Sequence, residues 1–279
     1  MIYIIVPTFG RVENTEKFLD SLSNSVDKEY LVLIVDDHPG QVTLKNIHET
    51  ERIKIYTSKN ELWWVGSINF GIEILFNNYN IKENDIVVFS NNDVQIDKIS
   101  FITLYNEIQY NGNQIVHPRT IDQDHNEVSS GAQVISYFPY ITVHPKNFKE
   151  ERRVVNMGTA RFLMMNVKTL KTVGYINKGL LQYLGDNDFT LKAKRKHNIN
   201  TYILRDAVCR LDDTQTGLKN NNIKNIKELW ISFSSIKSPN NIKYRYILFK
   251  SHFNSLCSFF ITLSMTFNSI LKFILGKVK

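Results

Sequence analysis

Cysteine is scarce in this chain of 279 residues, which has only Cys209 and Cys257. Two thiols cannot build a disulfide framework or a thiolate zinc site, and their scarcity favours a reducing compartment. The N-terminus lacks a basic segment and a small-residue cleavage site, so residues 1–6 predict a buried strand rather than a signal peptide. With 43% hydrophobic residues the composition is globular, which excludes disordered and collagen-like proteins.

Several ligand-binding motifs are also missing. The sequence contains no Gly-x4-Gly-Lys-Ser/Thr loop and no Gly-x-Gly-x-x-Gly loop, so ATPase and dehydrogenase functions lose their main support. The seven histidines show no i, i+4 pair of the zinc-protease kind, and we interpret a lone histidine such as His117 as structural.

Acidic residues are nearly absent from residues 219–279, where ten Lys or Arg accompany only Glu228. This region has a net charge of +9, whereas residues 1–218 hold 24 basic and 26 acidic side chains. The total of +7 therefore does not indicate a nucleic-acid partner, because no base-stacking or groove-reading motif accompanies it. We predict two parts, a domain over residues 1–218 and a basic helical extension over residues 219–279.

Short apolar runs alternate with segments of helical periodicity in the first half of the chain. Strand-length runs occupy residues 2–6, 30–35, 53–56 and 85–90, and apolar residues recur at helical spacing over residues 14–23 and 67–76. A basic helix over residues 190–197 and a strand over residues 199–204 are expected later. The alternation predicts an α/β fold with parallel strands, in which ligands bind beyond the carboxyl ends of the strands.

Carboxylates follow two of these strands, at Asp36 and Asp93. Such residues converge on one crevice, where Asp36 suits a base or ribose and Asp93 suits a divalent metal. Hard oxygen ligands bind Mg²⁺ or Mn²⁺, which usually share their coordination with phosphates, so a nucleoside diphosphate fits this crevice. The alternative is that each aspartate caps the helix that follows it.

Five short motifs occur in order between residues 2 and 190: Ile-Val-Pro7-Thr8-Phe9-Gly-Arg11, Val35-Asp36-Asp37, Asn60 with Gly66-Ser-Ile-Asn69-Phe-Gly71, Asn91-Asn92-Asp93, and Gly185-Asp186-Asn-Asp188-Phe. Their order resembles the inverting glycosyltransferases of family 2, whose nucleotide-sugar-binding fold is called GT-A. The resemblance covers roughly the first 215 residues. It implies a mostly parallel sheet flanked by helices, here with a C-terminal helical extension.

The resemblance also implies a binding pocket for a nucleotide-diphosphate sugar, with UDP or dTDP expected rather than GDP. Its residues would be Pro7, Thr8, Phe9, Arg11, Asp36, Asn60, Trp63, Trp64, Gly66, Asn69, Asn91 and Asn92. Core packing is the alternative for the two tryptophans. Because neighbours on an extended segment point to opposite sides, we expect only one tryptophan to face the ligand.

The resemblance makes Asp186 the general base for direct displacement by an acceptor hydroxyl, the acceptor being a saccharide or a lipid-linked saccharide. Its alternative role is a helix N-cap, which Asp188 suits better by position. The acceptor or sugar pocket would include Gly158, Thr159, Arg161 and Asp188. Arg161 has the alternative of pairing with a surface acid.

Two departures from the family pattern concern the metal. Asn91 stands where the family often has Asp, which leaves Asp93 as the carboxylate for Mg²⁺ or Mn²⁺. The family often has a histidine ligand downstream, where this chain has Arg210-Leu-Asp212-Asp213. We expect Asp213 as a further ligand, with a solvated turn as the alternative.

The last segment contains an amphipathic helix with a neutral polar side bearing Ser255, Ser258, Thr262 and Ser269. Its apolar side is formed by Phe253, Leu256, Phe260, Leu263, Phe267, Ile270 and Ile274. With lysines near its ends, we predict peripheral binding to an anionic membrane surface, on the cytoplasmic face of the cell membrane. The alternatives are packing on the catalytic body or against a partner in a homodimer. Polar residues argue against a full membrane span.

These features favour a glycosyltransferase of bacterial surface polysaccharide synthesis. A non-catalytic subunit that binds sugar nucleotides at a membrane is the alternative. A phosphoacceptor receiver domain also has an Asp pair after a strand. Such a domain would be about half as long as this chain, and the hypothesis leaves residues 53–190 unexplained.

Overall fold

The computed structural model describes residues 1–128, 130–211 and 223–277, and strands alternate with helices as the apolar runs predict. The strands are β1 (Ile2–Thr8), β2 (Tyr30–Asp36), β3 (Ile53–Thr57), β4 (Ile86–Ser90), β5 (Val94–Ile96), β6 (Ile115–Ile121), β7 (Glu127–Val128), β8 (Gln133–Tyr137), β9 (Tyr140–Val143), β10 (Arg152–Val155), β11 (Phe162–Asn166) and β12 (Thr201–Leu211). The helices are α1 (Val12–Ser25), α2 (Val42–Asn46), α3 (Trp63–Asn78), α4 (Lys98–Asn111), α5 (Val167–Val173), α6 (Gly185–His197), α7 (Ile226–Ser232), α8 (Ile242–Lys250) and α9 (Ser255–Lys277).

A ten-stranded sheet organises the described residues, in the order β10-β12-β6-β11-β4-β1-β2-β3, with β5 paired to β12 and β7 to β6. Strands β3, β2, β1 and β4 are parallel neighbours, which places their carboxyl ends along one edge. Strand β11 runs antiparallel between β4 and β6. The predicted α/β fold with a mostly parallel, helix-flanked sheet is confirmed.

Helices cover both faces of the sheet. In β1, Tyr3 and Ile5 pack under α3, α5, α6 and α8, whereas Ile2 and Ile4 pack under α1 and α4. Successive side chains of a strand point to opposite faces, so a strand buried on both sides reads as a continuous apolar run. This is why the strands were visible in the sequence.

The C-terminal segment, defined here as residues 223–277, packs on the same body. Leu248 and Phe249 of α8 and Ile261 of α9 lie in the core that also contains Ile5. The predicted boundary between residues 218 and 219 lies outside the described residues, so the division into two domains stays a prediction.

Helix α9 turns its polar side toward the body. Ser258 and Ser269 are buried, and Ser264 Oγ accepts a hydrogen bond of 2.8 Å from the backbone N–H of Tyr140 in β9. The apolar side faces outward, with Leu263 54% exposed and Phe267 62% exposed. The helix therefore joins the protein through Ile261 and hydrogen bonds of its polar side, and presents most of its other hydrophobic side chains to the surroundings.

Candidate active site

A cavity of about 300 Å³ opens where β1, β2 and β4 end, the edge at which parallel sheets bind ligands. The residues after these strands, the start of α3, the loop before α6 and one residue of the C-terminal segment line it. They are Pro7, Thr8, Phe9, Arg11, Asp37, Glu61, Trp63, Trp64, Ser67, Asn91, Asn92, Asp93, Gln182, Tyr183 and Lys237.

Eight of the twelve predicted donor residues line this cavity, together with the predicted metal ligand Asp93. The eight are Pro7, Thr8, Phe9, Arg11, Trp63, Trp64, Asn91 and Asn92. Phe9 is 54% exposed and its ring centroid lies 4.9 Å from that of His38. Its ring offers an apolar surface on which a nucleobase can stack.

Asp36 does not reach the cavity, which corrects the expectation that it contacts the base. The side chain is 1% exposed, and Oδ2 accepts hydrogen bonds from the backbone N–H groups of Thr43 (2.8 Å) and Leu44 (3.0 Å). Oδ1 accepts a third from His38 N–H at 3.2 Å. The carboxylate holds the turn into α2, as the capping alternative predicts.

The neighbouring Asp37 faces the cavity and fixes the start of α3. Its two carboxylate oxygens accept hydrogen bonds of 2.7 Å from the backbone N–H groups of Leu62 and Trp63. Burial raises the pKa of Asp37, partly offset by these two hydrogen bonds. Trp63 has a left-handed φ of 57°, a strained conformation for a bulky residue that the Asp37 hydrogen bond helps to hold.

Both tryptophans line the cavity, so the expectation that only one faces the ligand is wrong. The expectation assumed an extended segment, but Trp63 and Trp64 are the first residues of α3. Trp64 Nε1 donates a hydrogen bond of 2.9 Å to Asn91 Oδ1, and its backbone N–H donates to Gln182 Oε1 at 3.2 Å. These contacts connect α3 to the end of β4 and to the loop before α6.

Three other predicted donor residues lie outside the cavity. Asn60 is exposed in the loop before α3, and Gly66 packs on Leu62, where an added Cβ would lie 3.1 Å from Leu62 Cβ. Asn69 is buried, and its amide group exchanges two hydrogen bonds of 2.9 Å with the backbone of Ile176. Asn69 and Gly66 therefore position α3 and do not line the cavity.

The end of β4 presents oxygen and nitrogen groups to the cavity. Asn92 Nδ2 donates a hydrogen bond of 2.9 Å to Thr15 Oγ1, so α1 fixes this side chain. The described residues contain no cluster of three or more His, Cys, Asp or Glu, and Asp213 lies outside the described part of the chain. Asp93 alone fits a site in which one carboxylate and the substrate's phosphates share a Mg²⁺ or Mn²⁺ ion.

Helix α6 begins at Gly185, five residues before the expected Thr190, because Leu184 turns the chain at a left-handed φ of 69°. Asp186 thus lies in the first turn of α6, where the helix dipole favours a carboxylate. Its oxygens accept hydrogen bonds from the backbone N–H groups of Asn187 (2.9 Å) and Ala160 (3.3 Å). The carboxylate is positioned on two sides by the backbone.

Burial raises the pKa of Asp186, although its backbone hydrogen bonds and the nearby Arg161 guanidinium lower it in part. Asp186 is not among the residues that line the cavity, whereas Tyr183, three positions before it, is. Burial raises the pKa of Tyr183 too, and the charges of Asp93 and Asp186 raise it further. A carboxyl group with an elevated pKa next to a cavity is suited to general base chemistry.

Of the residues predicted for the acceptor pocket, Gly158 packs against α6. Gly158 is buried, its N–H donates to Thr190 Oγ1 at 2.9 Å, and its carbonyl accepts from Asn187 Nδ2 at 2.9 Å. Thr159 is partly buried, and its Oγ1 has no hydrogen-bond partner in the structure. Arg161 is partly exposed and close enough to lower the pKa of Asp186.

Asp188 is 1% exposed and lies away from the cavity, which corrects its assignment to the acceptor pocket. Its Oδ1 is 3.0 Å from His252 Nε2, and its Oδ2 accepts a hydrogen bond of 3.2 Å from Asn177 N–H. It is not the N-cap either, since Leu184 occupies that position. Asp188 connects α6 to the C-terminal segment.

The sequence model described as glycosyl transferase family 2 matches residues 3–174, more than half of the chain. The chain belongs to glycosyl transferase family 2. It is therefore a glycosyltransferase, and the receiver-domain alternative falls. A search of curated protein sequences found no match.

Solved structures support the GT-A fold of this family 2 glycosyltransferase. The structure of Staphylococcus aureus TarS, residues 1–349, is 14% identical with a TM-score of 0.58, covering 98% of this chain and 72% of the TarS chain. The same TarS fragment in complex with UDP is 18% identical with a TM-score of 0.53, covering 75% and 59%. GalNAc-T7 with UDP, GalNAc and Mn²⁺ is 9% identical with a TM-score of 0.57, covering 76% of this chain and only 43% of that chain.

Six residues of the glycosyltransferase cavity were not among the predicted site residues: Asp37, Glu61, Ser67, Gln182, Tyr183 and Lys237. Asp37 and Ser67 lie inside two of the sequence motifs, and Gln182 and Tyr183 lie just before the Gly185-Asp186 motif, so the motifs could have indicated these four residues. For Lys237 there was no such signal, because long-range packing of the C-terminal segment brings it to the cavity.

Proposed function

We propose that this family 2 glycosyltransferase transfers a sugar from a nucleoside diphosphate donor to a hydroxyl group of a saccharide or lipid-linked acceptor, with inversion at the anomeric carbon. The observation that carries the proposal is the carboxylate of Asp186, which two backbone N–H groups hold three residues beyond Tyr183 of the cavity. A UDP or dTDP donor is favoured over GDP, since the TarS and GalNAc-T7 structures described above contain UDP.

In this mechanism the acceptor hydroxyl gives its proton to Asp186 while its oxygen forms a bond to the anomeric carbon. The bond from that carbon to the donor phosphate breaks on the opposite side, and the nucleoside diphosphate leaves with the electron pair. The backbone N–H groups of Asn187 and Ala160 hold the carboxylate in place for this step. No covalent enzyme intermediate forms.

Asp93 is the residue that would hold Mg²⁺ or Mn²⁺ together with the donor phosphates, with Asp213 as a proposed further ligand. When bound, such a cation offsets negative charge on the leaving diphosphate. The Mn²⁺ in the GalNAc-T7 complex supports this cofactor for the fold.

Membrane attachment is proposed for the C-terminal segment. Over Ser255–Gly276, α9 has the length and composition of a membrane-crossing helix, but its polar side is hydrogen-bonded to β9, which favours lying on the surface. The hairpin β8–β9 extends the exposed apolar face, with Phe138 5.7 Å from Phe260 between ring centroids. Exposed Lys250 and Lys272 suit anionic headgroups at the cytoplasmic face.

This location fits a role in surface polysaccharide synthesis, in which lipid-linked acceptors are built at the inner face of the membrane. Flotation with anionic vesicles tests it, and a concentration-dependent dimer without vesicle binding would instead assign the apolar face to a second copy of the chain.

The donor is tested by incubating the protein with UDP-, dTDP- and GDP-sugars, with and without Mn²⁺, and measuring the shift in melting temperature and the release of nucleoside diphosphate by hydrolysis, in which water replaces the acceptor hydroxyl. We expect release and stabilisation with a UDP- or dTDP-sugar. Absence of both responses with every donor would overturn the proposed function.

A further inference from the structure

One lysine of the donor cavity comes from outside the region that the family model matches. Lys237 lines the cavity together with residues of β1, α3 and the end of β4, yet it belongs to the C-terminal segment. Its side chain is exposed and makes no ion pair within the part of the chain that the structure describes. An uncompensated cation at a cavity is a binding group for an anion.

The turn that carries Lys237 is held by an unusual buried network. Arg245 is 4% exposed, and its guanidinium donates to the Pro239 carbonyl (3.1 Å), to Asn240 Oδ1 (2.6 Å) and to Ser269 Oγ of α9 (3.0 Å). Burial lowers the pKa of Arg245 to about 10. Burying a guanidinium group against neutral acceptors costs desolvation free energy. The hydrogen bonds of this group fix the turn that directly follows Lys237.

The start of α3 cannot supply the positive charge for a diphosphate, because the protein already uses its backbone N–H groups. Asp37 accepts from the N–H of Trp63, Gln182 Oε1 accepts from Trp64, and the Leu181 carbonyl accepts from Val65. A helix N-terminus binds anions only through N–H groups that remain available.

A second feature of the cavity indicates a ligand. Ser67 lines the cavity and is buried, and its Oγ has no hydrogen-bond partner in the structure. Buried hydroxyl groups nearly always have a partner, so this one is suited to a polar group of the bound molecule. Ser67 and Lys237 thus present a hydroxyl and an ammonium group to one cavity.

We propose that Lys237 binds the diphosphate of the donor, so that the C-terminal segment completes the active site. The proposal rests on the proposed function and names a residue for it. As the bond to the anomeric carbon breaks, the departing phosphate oxygen gains negative charge, which the Lys237 ammonium group stabilises by a charge-assisted hydrogen bond.

The test compares binding of a nucleoside diphosphate and of its uncharged nucleoside by calorimetry, using whichever of UDP, dTDP and GDP binds the intact protein most tightly. In Lys237→Ala we expect diphosphate affinity to fall on the order of tenfold while nucleoside affinity is unchanged. Lys237→Arg should recover most of the affinity. Lys243→Ala, an exposed lysine outside the cavity in the same segment, is the matched control and should behave as the parent.

Equal diphosphate affinity in Lys237→Ala and the parent would overturn the assignment of Lys237 while leaving the proposed function standing. Equal losses for diphosphate and nucleoside would also overturn it, because they would indicate a general change in the pocket. If the parent protein binds none of the three diphosphates, the proposed function and this inference both fail.

Discussion

Two apolar helices of this glycosyltransferase use their hydrophobic residues in opposite ways. Helix α3 buries its apolar side, with Ile68, Ile72 and Leu75 inaccessible to solvent, and brings two tryptophans to the cavity. Helix α9 buries Ser258 and Ser269 and exposes Leu263 and Phe267. Amphipathic periodicity predicts that a helix has two sides, but it does not say which side the protein body takes.

The difference extends to the two regions that contain these helices. In the first region, residues 1–211, the apolar runs of β1, β2 and β4 are buried, and the carboxyl ends of these strands meet at the cavity. In the C-terminal segment α8 enters the core, whereas α9 is attached by Ile261 and by several polar contacts. We therefore expect substitutions in the first region to affect catalysis or folding, and substitutions on the outer side of α9 to affect location.

The largest expected effect is on catalysis. Asp186→Asn keeps the shape of the side chain and removes the base, so we expect sugar transfer to fall about a thousandfold with donor affinity nearly unchanged. Turnover and donor binding are measured on the same preparation. An active variant would remove Asp186 from its proposed role.

The same variant has a built-in control for folding. The pKa of Asp186 is raised in the folded protein, so the stability associated with its protonated form is present at low pH and lost as pH rises through that pKa. At pH 7 the Asp186→Asn substitution removes the carboxylate charge but its amide can accept only one of the two backbone hydrogen bonds, so the melting temperature should stay close to that of the parent. A lower melting temperature would attribute the loss of activity to unfolding.

A matched pair of leucines sharpens the contrast within the C-terminal segment. Leu248 of α8 is fully buried in the core, whereas Leu263 of α9 is 54% exposed. Leu248→Ala should lower the free energy of unfolding by about 2–5 kcal/mol. Leu263→Ala should change it by less than about 0.5 kcal/mol. Chemical denaturation measures both, and equal losses would mean that the outer side of α9 is covered.

The outer side of α9 is tested by placing charges on it. Leu263→Asp with Phe267→Asp should abolish flotation with anionic vesicles without changing donor binding, because two carboxylates would enter the lipid interface. Ile99→Asp on α4, where Ile99 is 74% exposed, is the control and should float as the parent does. Unchanged flotation of the double variant would contradict the membrane assignment.

The smallest expected effect is a shift in pH dependence. Asp186 must be ionised to act as base, so activity should fall as pH is lowered through its raised pKa, above the range of an ordinary aspartate. The Arg161 charge lowers this pKa, so Arg161→Gln should move the acidic limb to higher pH. If the pH at which kcat/KM falls on the acidic side is unchanged or lower in Arg161→Gln, the Arg161 charge does not influence the pKa of the base.

The strands and the location of the site were predictable, since strands buried on both faces give continuous apolar runs and their carboxyl ends meet at one edge. Because the run in β2 is continuously apolar, the sequence did not show whether Asp36 or Asp37 faces the cavity. All residues of β2 are buried, so no alternation shows which carboxylate faces the cavity.

Contacts between distant parts of the chain were not predictable. Asp188 meets His252 across 64 positions, and Lys237 reaches a cavity built mainly by residues 7–93. Neither contact leaves a local pattern, because tertiary packing alone brings these residues together.

Binding of a nucleoside diphosphate in the cavity at the start of α3 should be visible directly in the fluorescence of the tryptophans that line it. Of the three tryptophans, Trp63 and Trp64 line the cavity, and Trp230 is 65% exposed in α7. Titration with UDP or dTDP should give a saturable change that persists in Trp230→Phe and is lost when Trp63 and Trp64 are both replaced by Phe. No change in the parent protein, or a change lost only in Trp230→Phe, would contradict the account.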